Sequence, residues 1–512
     1  MSKWCVYVIV FLMACTSVTA QESSLSIIPA TADDFTSPLQ VSPRPISLDE
    51  VITFALQNNL GIEIVNYDRR IAGHEVGAES GIFDPHLYLA YQRSESEEKS
   101  LTAIDTINHD TQKFFVGSLQ QLLPTGAVVN LSYNMLRHYS ENNTAWLYNP
   151  YYSNKATLTA KQPLLKNAGS FVTRAGIRIA IIGEKIAEDN YRNTILNVLT
   201  STIKAYWDLV FVIQNYEVEK IALKQAEDLL RTNKAKYDAG VIAATDVLQA
   251  EAEVAARKDQ LLQAERQIFF VSDNLKKLLN IPQSGSTWEI TLVPQDPLKY
   301  QQVFLEEEES YLKAVDNRPD YAALQKQKDI SDINQRVAKN RTYPEVNIFG
   351  SYGFSGTDDS FSSSHSELGT LDYNNWSAGV EFAFPLLNRT ARHRYKQSQL
   401  RVQQTQTALR DLEQSIRLQV RDAIRNADTN LKRIFIARTR IEFEQAKLRD
   451  EFKRYEVGVT TVQDILRFQT DLANARAQYL LAVTEYLKSL VELQRVTGTL
   501  LDDLNIMIEP KS

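Results

Sequence analysis

Two short stretches of this sequence carry alike side chains in the same order, with tyrosine, glycine and valine identical. Lys236-Tyr-Asp-Ala-Gly-Val241 and Arg454-Tyr-Glu-Val-Gly-Val459 match, and Tyr237 and Tyr455, Gly240 and Gly458, and Asp246 and Asp464 are each 218 positions apart. A glycine can take the left-handed conformation that ends a helix. An aspartate a few residues later falls in the first turn of the next helix, where the helix dipole favours a carboxylate. The tyrosines also suit plain packing aromatics at the turns. The chemistry on offer is thus charge and hydrogen bonding at helix ends. The six histidines, His74, His86, His109, His138, His365 and His393, are scattered without metal-ligand spacing, and no glycine-rich phosphate loop is present. No catalytic residue, metal site or cofactor is expected.

Both cysteines, Cys5 and Cys15, lie near the start. Met1 to Ala20 reads as a secretory signal, with Lys3, an apolar run from Cys5 to Ala14, and the small-residue site Val18-Thr19-Ala20. Cleavage after Ala20 would leave a mature chain without a thiol. Alternatives are lipidation at Cys15, in Leu12-Met-Ala-Cys15, and a buried N-terminal element. Formal charge is -7 and basic residues interleave with acidic ones, which argues against nucleic acid as a partner. No apolar run after the signal approaches the roughly 20 residues of a membrane helix, so a membrane-embedded part must be a closed β-barrel.

The elements that position the matched turns are themselves duplicated. Asn58 to Pro85 and Asn317 to Pro344 both span 27 positions. After each proline comes an alternating run, Leu87, Leu89, Tyr91 and then Val346, Ile348, Tyr352, the signature of a strand. A second strand closes each half, Lys155 to Gln162 and Trp376 to Phe384, before Pro163-Leu-Leu165 and Pro385-Leu-Leu387. The unit is helix, helix, strand, strand, long helix, turn, long helix. A candidate hairpin, 114–122 with 127–135, has no counterpart in the second half, and the sequence does not say whether it joins the other strands. The polar stretches 93–110, 136–152 and 356–375 read as loops.

From Thr173 to Asn280 and Ala391 to Gly498 almost no helix breaker occurs, and about 65 residues from Thr173 to the first turn would reach about 100 Å as helix. Leu196, Leu199, Ile203, Tyr206, Val210 and Ile213 form a heptad seam. In the last segment two seams run side by side, Ile465, Leu472, Tyr479, Tyr486, Leu493 and Leu466, Ala473, Leu480, Leu487. Adjacent seams let one helix touch a neighbour on each side, which suits a cylinder of helices. Four repeat strands are too few to close a barrel in lipid, and three chains would supply about twelve.

The order of elements, the duplication and the paired turns resemble the TolC-like outer-membrane efflux family over nearly the whole mature chain. The resemblance implies a mainly α fold with a small β region: a trimeric α-helical barrel, built from a two-fold internal repeat, topped by a transmembrane β-barrel. It implies an outer-membrane homotrimer whose helices cross the periplasm, with a periplasmic adaptor protein and an inner-membrane pump as partners. A belt would surround the helices, drawn from Ser47 to Asn58, Glu306 to Asp316, the irregular Pro282 to Tyr300 and the C-terminal tail. The family's closed gate also implies roles here. Thr245 and Asp246 match its aspartate-bearing tip, and Tyr455, with Gly458 and Asp464, its tyrosine-bearing tip. Thr460 stands where the family has a gate arginine, and Arg467 where it has a second ring aspartate.

The expected organisation is a signal peptide (1–20), a first efflux repeat (21–281), an equatorial linker (282–305), a second repeat (306–500) and a tail (501–512). The expected function is the passive exit duct of a tripartite efflux pump or type I secretion system. The alternative is a structural coiled-coil envelope protein without a pore.

Overall fold

The structure, a computed structural model, describes residues 43–98, 108–141, 146–283, 288, 290–303 and 306–506. The expected signal segment, with Cys5 and Cys15, lies outside the described residues. A short strand β1 (Pro43–Ile46) leads into α1 (Leu48–Asn58) and α2 (Leu60–Ser80). Four strands follow: β2 (His86–Glu98), β3 (Asn108–Leu122), β4 (Val128–Ser140) and β5 (Tyr151–Pro163). One turn, α3 (Ser170–Thr173), precedes the long α4 (Ala175–Asp238) and α5 (Ala244–Leu278). The second half runs β6 (Thr291–Pro294), α6 (Glu307–Asn317), α7 (Pro319–Asn340), β7 (Glu345–Asp358), α8 (Phe361–Thr370) and β8 (Asn374–Ala383). It ends in α9 (Arg389–Glu456), α10 (Val462–Thr497) and the turn α11 (Leu500–Asp503). The fold is mainly α with a small β region. At 64 and 68 residues, α4 and α9 are each about 100 Å long.

Local signals explain where helices start. Ser47 and Glu50 form a reciprocal capping box on α1, and the Asn59 side chain accepts from the amides of Gly61 and Ile62 to open α2. The duplicated motifs have a shared job. Asn59 of Asn58-Asn-Leu60 donates to the carbonyl of Leu278 at the end of α5. Arg318 of Asn317-Arg-Pro319 donates to the carbonyl of Val496 at the end of α10. Leu278 and Val496 are again 218 positions apart. Each motif pins a short helix to the returning end of its own long hairpin. Arg318 is buried and also holds Gln419 of α9 at 2.7 Å and the Asp320 carboxylate, also at 2.7 Å. Burial would raise the Asp320 pKa, but the Arg318 hydrogen bonds and charge outweigh it and hold the carboxyl below its ordinary range.

The first seam is the middle of the core: Leu196, Leu199, Ile203, Tyr206 and Val210 are buried with Ile46 and Val51 of the N-terminal elements and Leu275 of α5. An 18-residue window of α4 is apolar enough on average to cross a membrane, although contiguous runs gave no such signal, and 56% of that window is buried inside the chain. Two features of the belt were not foreseen. The segment read as irregular contains β6, which pairs in parallel with β1, from Pro43 opposite Thr291 to Ile46 opposite Pro294. The Tyr206 hydroxyl, halfway along α4, donates to Asp296 Oδ2 at 2.5 Å, and Asp296 also accepts from the Leu48 amide at 2.8 Å. Burial, then that hydrogen bond, pushes the Tyr206 pKa well up.

The remaining strands form one antiparallel sheet of six, in the order β2-β3-β4-β5-β7-β8. The sequence left the place of the extra hairpin open: it is hydrogen-bonded between β2 and β5, beside the four repeat strands. The segments read as loops contain regular elements too, since β2, β4 and β7 extend into them and α8 occupies 361–370. Alternation failed as a guide there because the strand ends carry polar residues on both faces.

Candidate functional site

The two matched turns meet at the end of the helices away from the sheet. Each long hairpin closes in the same way. Gly240 has φ +76° and Gly458 φ +73°. The Gly240 amide donates to the Tyr237 carbonyl and the Val241 amide to that of Lys236, and Gly458 and Val459 repeat this with Tyr455 and Arg454. Nothing lies within 4 Å of a Cβ built on either glycine, so only the backbone conformation demands glycine.

Tyr455 crosses from the second tip to the first. Its hydroxyl donates to Asn233 Oδ1 of α4 at 2.7 Å, its ring packs among Leu229, Val462, Ile465 and Leu466, and Lys236 Nζ sits 4.0 Å from the ring centroid. Burial, and then the negative charge of Asp246, raise its pKa. Tyr237 does not pack in the same way: it is exposed.

Asp464 is built into the start of α10. Thr461 Oγ1 accepts from the Asp464 amide at 3.3 Å, and Asp464 Oδ2 accepts from the Thr461 amide at 3.4 Å and the Thr461 hydroxyl at 2.7 Å, and at 3.2 Å shares the Thr460 hydroxyl proton with Glu451. These bonds, the Thr461 hydroxyl first, hold its carboxyl below the usual range. Arg467 Nη2 stands 3.6 Å from the other carboxylate oxygen, and both side chains reach solvent. Asp246 does less at the start of α5: among the described residues it accepts the Ala243 amide at 3.4 Å, and Thr245 is exposed.

The structure thus brings Tyr455, Asp246, Thr460, Asp464 and Arg467 to one tip region, with Thr245 and Tyr237 on its surface. Sequence reasoning missed Asn233 and Glu451. Asn233 is fully buried and its Nδ2 has no described partner, while Glu451 accepts from the Thr460 hydroxyl at 2.5 Å. A signal was available: the two are also 218 positions apart, polar side chains at the same place of each repeat.

Comparison with known proteins fits this geometry. A profile of the family described as outer membrane efflux protein matches residues 121–280 and 311–499. Nodulation protein T of Rhizobium leguminosarum bv. trifolii is 22% identical over 315 residues, 59% of this chain and 63% of that protein, so the chain spans less than two thirds of this relative's length. Among solved structures, the CmeC outer membrane channel of Campylobacter jejuni aligns at 17% identity and a TM-score of 0.63, over 88% of this chain and 86% of that one. The outer membrane protein VceC of Vibrio cholerae aligns at 17% and 0.63, over 88% and 96%. At these identities the likeness establishes the fold.

Proposed function

Because the chain belongs to the outer membrane efflux protein family, we propose that three copies form an outer-membrane channel, the passive exit duct of a tripartite efflux pump or type I secretion system. The observation that carries this reading is a sheet with one lipid-compatible face set on helices of about 100 Å, the reach of a periplasmic conduit. The trimer is supported by surfaces a single chain leaves bare. Leu60, Ile64, Tyr67 and Ile71 line one exposed face of α2, and Leu262 and Phe269 lie a heptad apart on α5, also exposed. Six strands fall short of the eight of the smallest membrane barrels.

In this assembly the tips face the periplasmic adaptor and inner-membrane pump, which supply energy and choose cargo, and the channel itself is no enzyme. Thr245, Asp246, Tyr455, Thr460, Asp464 and Arg467 form the gate. The organisation is a signal peptide, two efflux repeats (21–281 and 306–500) joined by the linker 282–305, and a short tail. A coiled-coil spacer without a pore is disfavoured by the apolar sheet face, which such a rod would expose to water. Fractionation of cell envelopes separates the two: a heat-modifiable trimer in the outer-membrane fraction is expected, and a urea-extractable rod would refute the channel.

A further inference from the structure

Resting on the channel reading above, we propose that the outer-membrane barrel has eighteen strands, six from each of three copies, with the hairpin β3–β4 forming part of the wall. Twelve strands would result if that hairpin, absent from the second repeat, stood outside the barrel.

Register carries the proposal. Leu87, Leu119, Leu131, Leu158, Tyr352 and Trp376 are successive cross-strand partners in one row across all six strands. The neighbouring row is His86, Gln120, Asn130, Thr159, Ser351 and Ser377. Adjacent rows point to opposite faces, so at this level one face is apolar and the other polar across all six strands. A barrel wall in lipid needs this alternation, apolar outward and polar towards the lumen. The hairpin keeps it in phase with both flanking strands; a one-residue slip would reverse every side chain. A hairpin standing in water would have no reason to place Leu119 and Leu131 in the lipid row.

A second observation ties the hairpin into the sheet. On the apolar face, just beyond that row, the Tyr133 hydroxyl of β4 donates to Asn154 Oδ1 of β5 at 2.9 Å and lies 3.4 Å from His365 Nδ1 of α8. Asn154 Nδ2 in turn donates to the Ser364 hydroxyl at 2.7 Å, and Asn154 is fully buried. The second repeat's own helix α8 is therefore seated on β5 and β7 and touches β4 of the hairpin through His365 and Tyr133.

Closure is also geometrically possible. Every neighbouring pair in the sheet is antiparallel, so with six strands β8 of one copy runs opposite to β2 of the next. Their free edges can pair without breaking the pattern, and no backbone edge is left in lipid. The occupant of each edge is a second copy of this chain. Barrel diameter grows roughly linearly with strand number, so the bore is about one and a half times that of twelve strands, in the range of barrels that leave an aqueous channel. The outer-membrane segment is then wide, and passage is limited at the tips.

Electron cryomicroscopy of the full-length trimer purified from outer membranes tests this. Eighteen strands, with β4 of each copy between β3 and β5, are expected. Thiol labelling in intact membranes supplies a second readout: Gln120→Cys and Asn130→Cys react with a water-soluble maleimide, and Leu119→Cys and Leu131→Cys do not. A trimer with twelve strands, or equal labelling at all four positions, overturns the wide barrel and leaves the channel reading standing. A protein that is not trimeric in the outer membrane overturns both.

Discussion

Asp464 has two jobs in this structure that pull on different experiments. One carboxylate oxygen closes a capping box with Thr461, and the other faces Arg467 at 3.6 Å. In a trimer its charge recurs three times around the axis, and a carboxylate ring in a narrow pore attracts cations. Arg467, largely exposed, offsets that attraction. Single channels should therefore prefer cations weakly. Arg467→Asp should strengthen the preference and the block by multivalent cations, and Asp464→Asn should weaken both. Thr461→Ala separates the roles: losing the cap costs about 0.5–2 kcal/mol of helix-start stability without changing charge, so it should loosen the tip and leave the reversal potential where it was. Reversal potentials unmoved by either charge change would place these side chains away from the narrow part of the pore. Both aspartates were readable from the sequence because they sit at one offset from a glycine. Asn233 was passed over despite its repeat partner Glu451, because a single asparagine in a long helix reads as solvent-facing until its buried bond to Tyr455 is seen.

At the scale of elements, three glycines end long helices in the same conformation but differ in their surroundings. Gly458 at φ +73° has open space around it, whereas a Cβ on Gly498, also at φ +73°, would lie 2.9 Å from the Asn317 carbonyl carbon. Gly458→Ala should cost only the left-handed conformation, about 1–2 kcal/mol. Gly498→Ala should cost more, because α10 must move away from the motif that holds α6 and α7. Thermal unfolding of the two variants should show the larger loss for Gly498→Ala, and equal losses would mean that the Asn317 contact yields freely. The long helices were legible because heptads and missing breakers persist over many turns. The β1–β6 pairing was not, since two four-residue strands about 250 positions apart leave no periodicity. The β3–β4 hairpin was legible as a hairpin, but its place was not: alternation gives a strand its two faces and does not name its neighbours.

For the whole molecule, the described residues of one chain leave the sheet with two free edges and apolar faces of α2 and α5 exposed. The repeat explains how three chains could act as six near-equivalent units around an axis, with the tips gathered at one end and the strands at the other. A trimer with a pore is suggested by the sequence only through the family resemblance and the shortage of strands, because subunit number is a property of surfaces that a single sequence does not pair. The claim of a conduit meets its most direct test in single-channel recording of the purified mature protein in planar bilayers. Discrete conductance steps are expected, small in the wild type and larger in Tyr455→Phe, which removes the hydroxyl bond between the two tips. Protein that inserts as a trimer yet passes no current in either form would contradict the channel.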